Sequence, residues 1–171
     1  MPFAAMRLAK KTYHMRRKEK EIKGDKELLE LLGSRPFITI AMCRDDEPYL
    51  VTVNYAVDPK TRRVYFHCAS QGKKLDFLDS NPHVCAQVLE DRGYVKGKCD
   101  YDYATVNLTG IAKEVVSVEE KSHAFDLLLE KFEPGLDVSD ARKRFIDGES
   151  FGRVSIYGID IKEMTGKMRV P

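Results

Sequence analysis

Val64-Tyr65-Phe66-His67-Cys68-Ala69-Ser70-Gln71-Gly72-Lys73-Lys74-Leu75-Asp76-Phe77-Leu78 reads, in order, as a strand, a tight turn and the start of a helix. Val64, Tyr65, Phe66 and Cys68 have the composition of a half-buried strand. Ser70, Gln71 and Gly72 interrupt it, and Leu75 with Leu78 has the i, i+3 spacing of a short amphipathic helix. A glycine at such a turn lets backbone N–H groups approach an anion. The first helical turn leaves N–H groups free at the positive end of the helix dipole. Ser70, Gln71, Gly72, Lys73 and Lys74 therefore form a candidate phosphate cradle, in which a hydroxyl and two cations join the backbone donors. The spacing matches neither the Walker A loop nor G-x-G-x-x-G. On the local pattern alone, an ordinary strand–helix connection with a solvated lysine pair is the commoner outcome, because short motifs recur by chance.

The flanking sequence turns this unit into part of a sheet. Upstream, Pro36 opens a strand over Phe37 to Cys43, Arg44 to Pro48 is a polar turn, and Tyr49 to Val57 alternates as a second strand. Asp58-Pro59-Lys60 is a further turn signal, so three β-runs joined by short polar turns predict an antiparallel meander. Downstream, Asn81-Pro82 ends the short helix and Val84 to Leu89 is a fourth strand. Asp91 to Asp102 reads as a polar loop, Tyr103 to Val116 as a long fifth strand bulged at Gly110, and Val154 to Ile161 as the last strand. Asp25 caps a helix through Leu32, with Gly33 as its stop. Ser117 to Glu120 has the capping-box spacing, opening a helix that buries Phe125, Leu128, Leu129 and Phe132 and ends at Pro134-Gly135. Asp137 to Phe145 carries one or two further helical turns. This order predicts an α+β domain: a six-stranded antiparallel barrel with flanking helices.

The 171 residues suit one domain, read as residues 15–171 behind a basic arm at 1–14. A formal net charge of +2 gives no electrostatic case for nucleic acid. The four cysteines Cys43, Cys68, Cys85 and Cys99 form no C-x-x-C pair and no zinc-type cluster, so no metal site is expected, and free thiols fit a cytoplasmic protein. No apolar run approaches the length of a membrane span. Arg7 to Lys11 reads as a solvated arm, whereas Arg16 and Arg17 are open to an anion contact.

Tyr65 to Leu78 resembles the flavin-binding signature of the pyridoxamine 5′-phosphate oxidase-like split barrels, nearest the branch containing the nitroimidazole-resistance reductases. Met15-Arg16-Arg17-Lys18-Glu19 is similar to that branch's N-terminal entry, Glu47 to Tyr55 to its second strand, and Thr165-Gly166-Lys167 to its C-terminal close. The four segments stand in the family's order and span residues 15 to 168. The resemblance implies a split barrel pairing as a homodimer, with FMN at the interface. It also implies that Ser70 to Lys74 hold the flavin phosphate and that Thr52, Val53, Asn54 and Tyr55 lie against the ring. Lys167 approaches the cofactor in this reading, while Tyr101, Tyr103 and Thr105 reach the flavin of the partner chain. His67 falls where the family's histidine lies near the ligand. A neutral imidazole there is a proton donor to an acceptor reduced by the flavin, and the competing reading is a histidine satisfied within the sheet. The chain lacks tryptophan and the family's arginine-rich substrate-holding C-terminus, which weighs against vitamin B6 oxidation. The implied activity is an FMN-dependent oxidoreductase that takes electrons from NADH or NADPH and passes them to a small acceptor such as a nitro-aromatic compound. The alternative is a non-catalytic flavin or haem binder, and a deazaflavin in place of FMN also stays open.

Overall fold

The structure, a computed structural model, describes residues 15–137, 139, 140 and 154–169. The elements run β1 (Glu21–Ile22), α1 (Asp25–Ser34), β2 (Phe37–Arg44), β3 (Glu47–Asn54), β4 (Ala56–Asp58), β5 (Arg63–Ala69), α2 (Lys73–Ser80), β6 (His83–Val95), β7 (Asp100–Glu114), α3 (Val118–Phe132) and β8 (Val154–Met168). All strand pairs are antiparallel, in the order β3-β2-β6-β7-β8-β5-β4, with β1 added to β8. The first and last strands of that path, β3 and β4, are consecutive in sequence and separated only by Tyr55. The sheet is thus closed into a split α+β barrel by the chain itself. Among the described residues eight strands stand where the periodicity predicts six: the Tyr49 to Val57 run divides at Tyr55, and Glu21–Ile22 pairs with the end of β8.

Alternation along the strands fills the barrel. Ile38, Ile40, Val64, Phe66, Val88, Val106, Leu108 and Ile159 point inward, and Leu32 of α1 and Phe77 of α2 seal its ends, all fully or nearly fully buried. A second cluster, Tyr65, Val115, Ala124 and Ile156, lies between the outer side of β5–β8 and α3. Polar contacts dock that helix. Glu120 accepts from the Tyr65 hydroxyl at 3.0 Å and from the Arg63 guanidinium, while His123 Nε2 is 3.0 Å from Asp58 Oδ2. Burial first, then the Glu120 hydrogen bond, pushes the Tyr65 phenol up to about 12.

Several local expectations are corrected. Gly24, not Asp25, occupies the cap of α1, Asp25 pairs with Arg62 instead, and Gly33 lies inside the helix. Ser117 does cap α3 through the Glu120 N–H at 3.1 Å, but the Glu120 side chain turns to Arg63 and Tyr65, so only half the capping box forms. Of the four residues expected inside α3, only Leu128 is fully buried, and Ala124 joins it. Most of the stretch Asp91 to Asp102 is strand rather than loop: β6 and β7 continue as a hairpin, bulged between Asp91 and Gly93, and turn at Lys96 to Cys99. The last strand runs on to Met168, so Thr165-Gly166-Lys167 lies within β8. The basic arm at 1–14 and most of the Asp137 to Phe145 helical turns lie outside the described residues.

The bulge expected at Gly110 is present, with Lys162 of β8 as the extra residue opposite it. A Cβ on Gly110 would sit 2.6 Å from the Asp160 carbonyl oxygen and 2.7 Å from Ile159 Cγ2. Gly110→Val should therefore cost about 2 kcal/mol or more in equilibrium urea unfolding, since overfilling a packed site forces the backbone to shift. An unchanged midpoint would show that the strands part freely at the bulge.

Candidate functional site

The site begins where β5 leaves the sheet. Val64, Phe66 and Cys68 point into the core, so Tyr65 and His67 point outward. The second core cluster beneath α3 takes up Tyr65 and leaves His67 only partly covered. Beyond Ala69 the chain turns through exposed Ser70 and Gln71 to Gly72, whose φ of 133° is open to glycine and strained for any other residue. Gly72 caps α2: its carbonyl accepts from the Leu75 N–H at 2.8 Å. The first-turn N–H groups of α2 point back past it.

The two lysines that open α2 diverge. Lys73 turns toward β3, where its Nζ is 2.8 Å from Glu47 Oε1 and 5.0 and 5.2 Å from the ring centres of Tyr49 and Phe77. Lys74 turns toward β5, with its Nζ 5.9 Å from the Phe66 ring centre, and makes no ion pair among the described residues. Its charge is felt by His67. Burial, and after it the Lys74 ammonium, holds the imidazole pKa below its ordinary value. At neutral pH His67 is therefore neutral, beside a cation that has no carboxylate partner among the described residues. The strand, turn and helix expected here are in place, but the lysine pair straddles the turn and does not close on it together.

Strand β3 supplies the second part. Pro48, Leu50, Thr52 and Asn54 face outward, while Tyr49, Val51 and Val53 pack against the core. Thr52 Oγ1 lies 3.0 Å from Thr39 Oγ1, its cross-strand partner on β2, and Asn54 Nδ2 donates to the Pro36 carbonyl at 3.2 Å. Tyr55, expected against a ring, has its side chain in the core. Its hydroxyl donates to the Leu32 carbonyl, and Lys131 Nζ sits 3.7 Å from its ring centre. β3 and β5 meet across the split without pairing, which leaves a groove between them, and outward-facing Thr52 and Asn54 lie on one of these strands and His67 on the other. The far end of the groove, at Glu47, meets the Gly72 turn. Five residues of strand, about 16 Å, separate Glu47 from Thr52.

The remaining candidates lie elsewhere on the chain. Tyr101, Tyr103 and Thr105 are on β7, and β2 and β6 stand between them and β3. Lys167 on β8 is the cross-strand partner of Thr105. Thr105 is buried and donates to the Val88 carbonyl at 2.7 Å, and the Tyr101 hydroxyl donates to Asp91 at 3.0 Å. One chain does not bring these four to the groove. Arg16 is exposed and Arg17 is held by Glu19 at 2.7 Å.

Residues the sequence reading passed over complete the outer face. Thr52, Thr39, Gln87, Asn107 and Thr165 form one cross-strand row, joined at Gln87 Nε2 to Asn107 Oδ1 by a 2.9 Å bond. Phe37 and Leu89 flank it on one side and Leu50 on the other, at 55 %, 58 % and 64 % exposure.

Solved structures share this fold. The flavocytochrome Anf3 from Azotobacter vinelandii is 17 % identical with a TM-score of 0.78, over 95 % of this chain and 75 % of its own. A protein of Bacteroides thetaiotaomicron provisionally assigned to 5-nitroimidazole antibiotic resistance is 18 % identical with a TM-score of 0.70, over 86 % and 85 %. An FAD-binding protein from Mesorhizobium loti is 20 % identical with a TM-score of 0.62, over 86 % and 96 %. In sequence, an uncharacterised protein of Rhizobium meliloti is 35 % identical over 104 residues, which span 56 % of this chain and 62 % of that protein. The family model described as pyridoxamine 5′-phosphate oxidase matches residues 24–168, from the start of α1 to the end of β8, and the chain belongs to that family.

Proposed function

We propose that this chain is a flavin-binding oxidoreductase that holds FMN between its β3–β5 groove and a second copy of itself. The observation that carries the reading is Lys74: a cation without a carboxylate partner among the described residues, at a glycine-capped helix start, beside a neutral histidine. A phosphate monoester fits that donor set, with Ser70, the Gly72 turn and the first-turn N–H groups of α2 adding neutral donors. Thr52, Val53 and Asn54 line the path a ring would take, through the two polar side chains and the strand backbone. Tyr55 contributes there through its backbone alone, since its side chain is committed to the core.

A second copy supplies the missing wall. The exposed Phe37, Leu50 and Leu89 around a polar row suit a self-complementary surface, and Tyr101, Tyr103 and Lys167 reach a flavin only across such an interface, whereas the Thr105 side chain is committed within its own sheet. When bound, FMN would supply the two-electron chemistry between NADH or NADPH and a small acceptor such as a nitro-aromatic compound. The chain's own work is to orient it, exclude water and deliver a proton from the protonated form of His67 to the reduced acceptor.

The test is the ligand released from purified protein. Twin bands in the near-UV and blue, the mass of FMN, and a dimer by sedimentation equilibrium at micromolar concentration are the expected results. A Soret band would replace this reading with haem binding, an outcome with some support: two fold relatives are a flavocytochrome and an FAD and haem binding protein from Mycobacterium smegmatis. A monomer that keeps its flavin would remove the interface and the roles of the β7 tyrosines.

A further inference from the structure

Three cations border the Gly72 turn, and two of them already face carboxylates. Lys73 Nζ is 2.8 Å from Glu47 Oε1, and Arg44 Nε is 3.9 Å from Asp45 Oδ2. Those carboxylates come from one place, the tip of the β2–β3 hairpin, where Asp45, Asp46 and Glu47 follow one another and all are exposed. The tip is drawn against α2. Arg44 lies over the Phe77 ring at 4.8 Å, and Lys73 reaches across to Glu47 between Tyr49 and Phe77. The cradle is therefore positive at Lys74 and bounded by a wall of three carboxylates against two cations.

We infer that the Asp45-Asp46-Glu47 turn is a selectivity element that restricts the site to a flavin ending at its first phosphate, admitting FMN and rejecting FAD. This rests on the reading that Ser70 to Lys74 hold the flavin phosphate. Lys74 and the start of α2 match one phosphate monoester. In FAD that phosphate is joined through an anhydride bond to a second one, which carries its own charge and finds no free cation among those bordering the turn. Glu47 adjoins the cradle through Lys73, so a chain continuing past the phosphate meets a turn whose three carboxylates outnumber the two cations facing them. The question is open within this fold, since relatives include FAD-binding proteins.

The turn allows a clean test. Asp45 and Asp46 have φ of 49° and 64°, a left-handed pair that asparagine adopts as readily as aspartate, so the charges can be removed with the hairpin kept. The full-length apo-protein and its Asp45→Asn, Asp46→Asn, Glu47→Gln triple variant are titrated with riboflavin, FMN and FAD by fluorescence quenching. The native protein should prefer FMN to both others. The variant should gain FAD relative to FMN by about tenfold, equivalent to about 1.4 kcal/mol, with riboflavin affinity unchanged. A native protein that binds FAD as tightly as FMN, or a preference that survives in the folded variant, overturns the inference and leaves the phosphate site standing. FMN no tighter than riboflavin removes the phosphate site and the inference with it. Should the variant not fold, the unmutated protein decides: raising salt to about 0.5 M screens exposed carboxylates and should narrow the FMN-to-FAD ratio, and an unmoved ratio overturns the inference.

Discussion

Lys74→Ala is expected to weaken FMN binding by about 10- to 150-fold, and Lys73→Ala by no more than a few-fold. The asymmetry follows from where the two side chains go. Lys74 makes no ion pair among the described residues, so its removal forfeits a charge-assisted contact of about 1.5–3 kcal/mol. Lys73 is held by Glu47 at 2.8 Å, and recruiting it to a phosphate requires breaking that pair. Riboflavin, which lacks the phosphate, serves as the control and should bind both variants like the native protein. Equal losses for the two variants would mean that Lys73 leaves Glu47 when the ligand arrives. No loss in either would move the phosphate elsewhere, with Arg16 as the next candidate.

His67→Ala should keep its flavin and lose about 10²- to 10⁴-fold in turnover, the usual worth of general acid catalysis. Burial and the Lys74 charge lower the imidazole pKa, so its protonated form accumulates only below the ordinary histidine range. If that form is the donor, the rate per bound flavin rises as pH falls through the lowered pKa, and the rising limb vanishes in His67→Ala. Lys74→Gln, assayed at saturating FMN, removes one of the two lowering influences and should move the limb to higher pH. Activity per bound flavin that survives in His67→Ala assigns the histidine to the sheet. In that case the substitution should show in thermal stability alone. Loss of flavin from the variant would instead make His67 part of the slot.

Much of this arrangement was legible from the chain, for reasons that differ from residue to residue. Val64 to Leu78 was readable because a two-residue period gives way to a helical spacing at a glycine, and the structure places strand, turn and helix there in that order. The divergence of Lys73 and Lys74 was not, because it depends on Glu47, 26 positions upstream. The polar partner of Thr52 was within reach. With Asp45-Asp46 as a two-residue hairpin turn, paired residue numbers must sum to a constant, which sets Thr39 opposite Thr52. Asp25 looked like a cap because capping residues are recognised by type, but a salt bridge with Arg62 took it. The hairpin at Asp91 to Asp102 read as a loop because its polar and glycine residues mask an extended ladder between two solvated strands.

Tyr55 marks the one place in the barrel where closure depends on something other than a continuous backbone ladder. Elsewhere along the path each strand is zipped to its neighbour by hydrogen bonds, but between β3 and β4 the chain simply changes partners. One side chain bolts that changeover: its hydroxyl is on α1, and a lysine of α3 lies across its ring. The two helices are thereby fastened to the strand that carries Thr52 and Asn54. A disturbance of either helix has a mechanical route to the groove through a single phenol, and prising the seam apart means withdrawing that phenol from a fully buried socket.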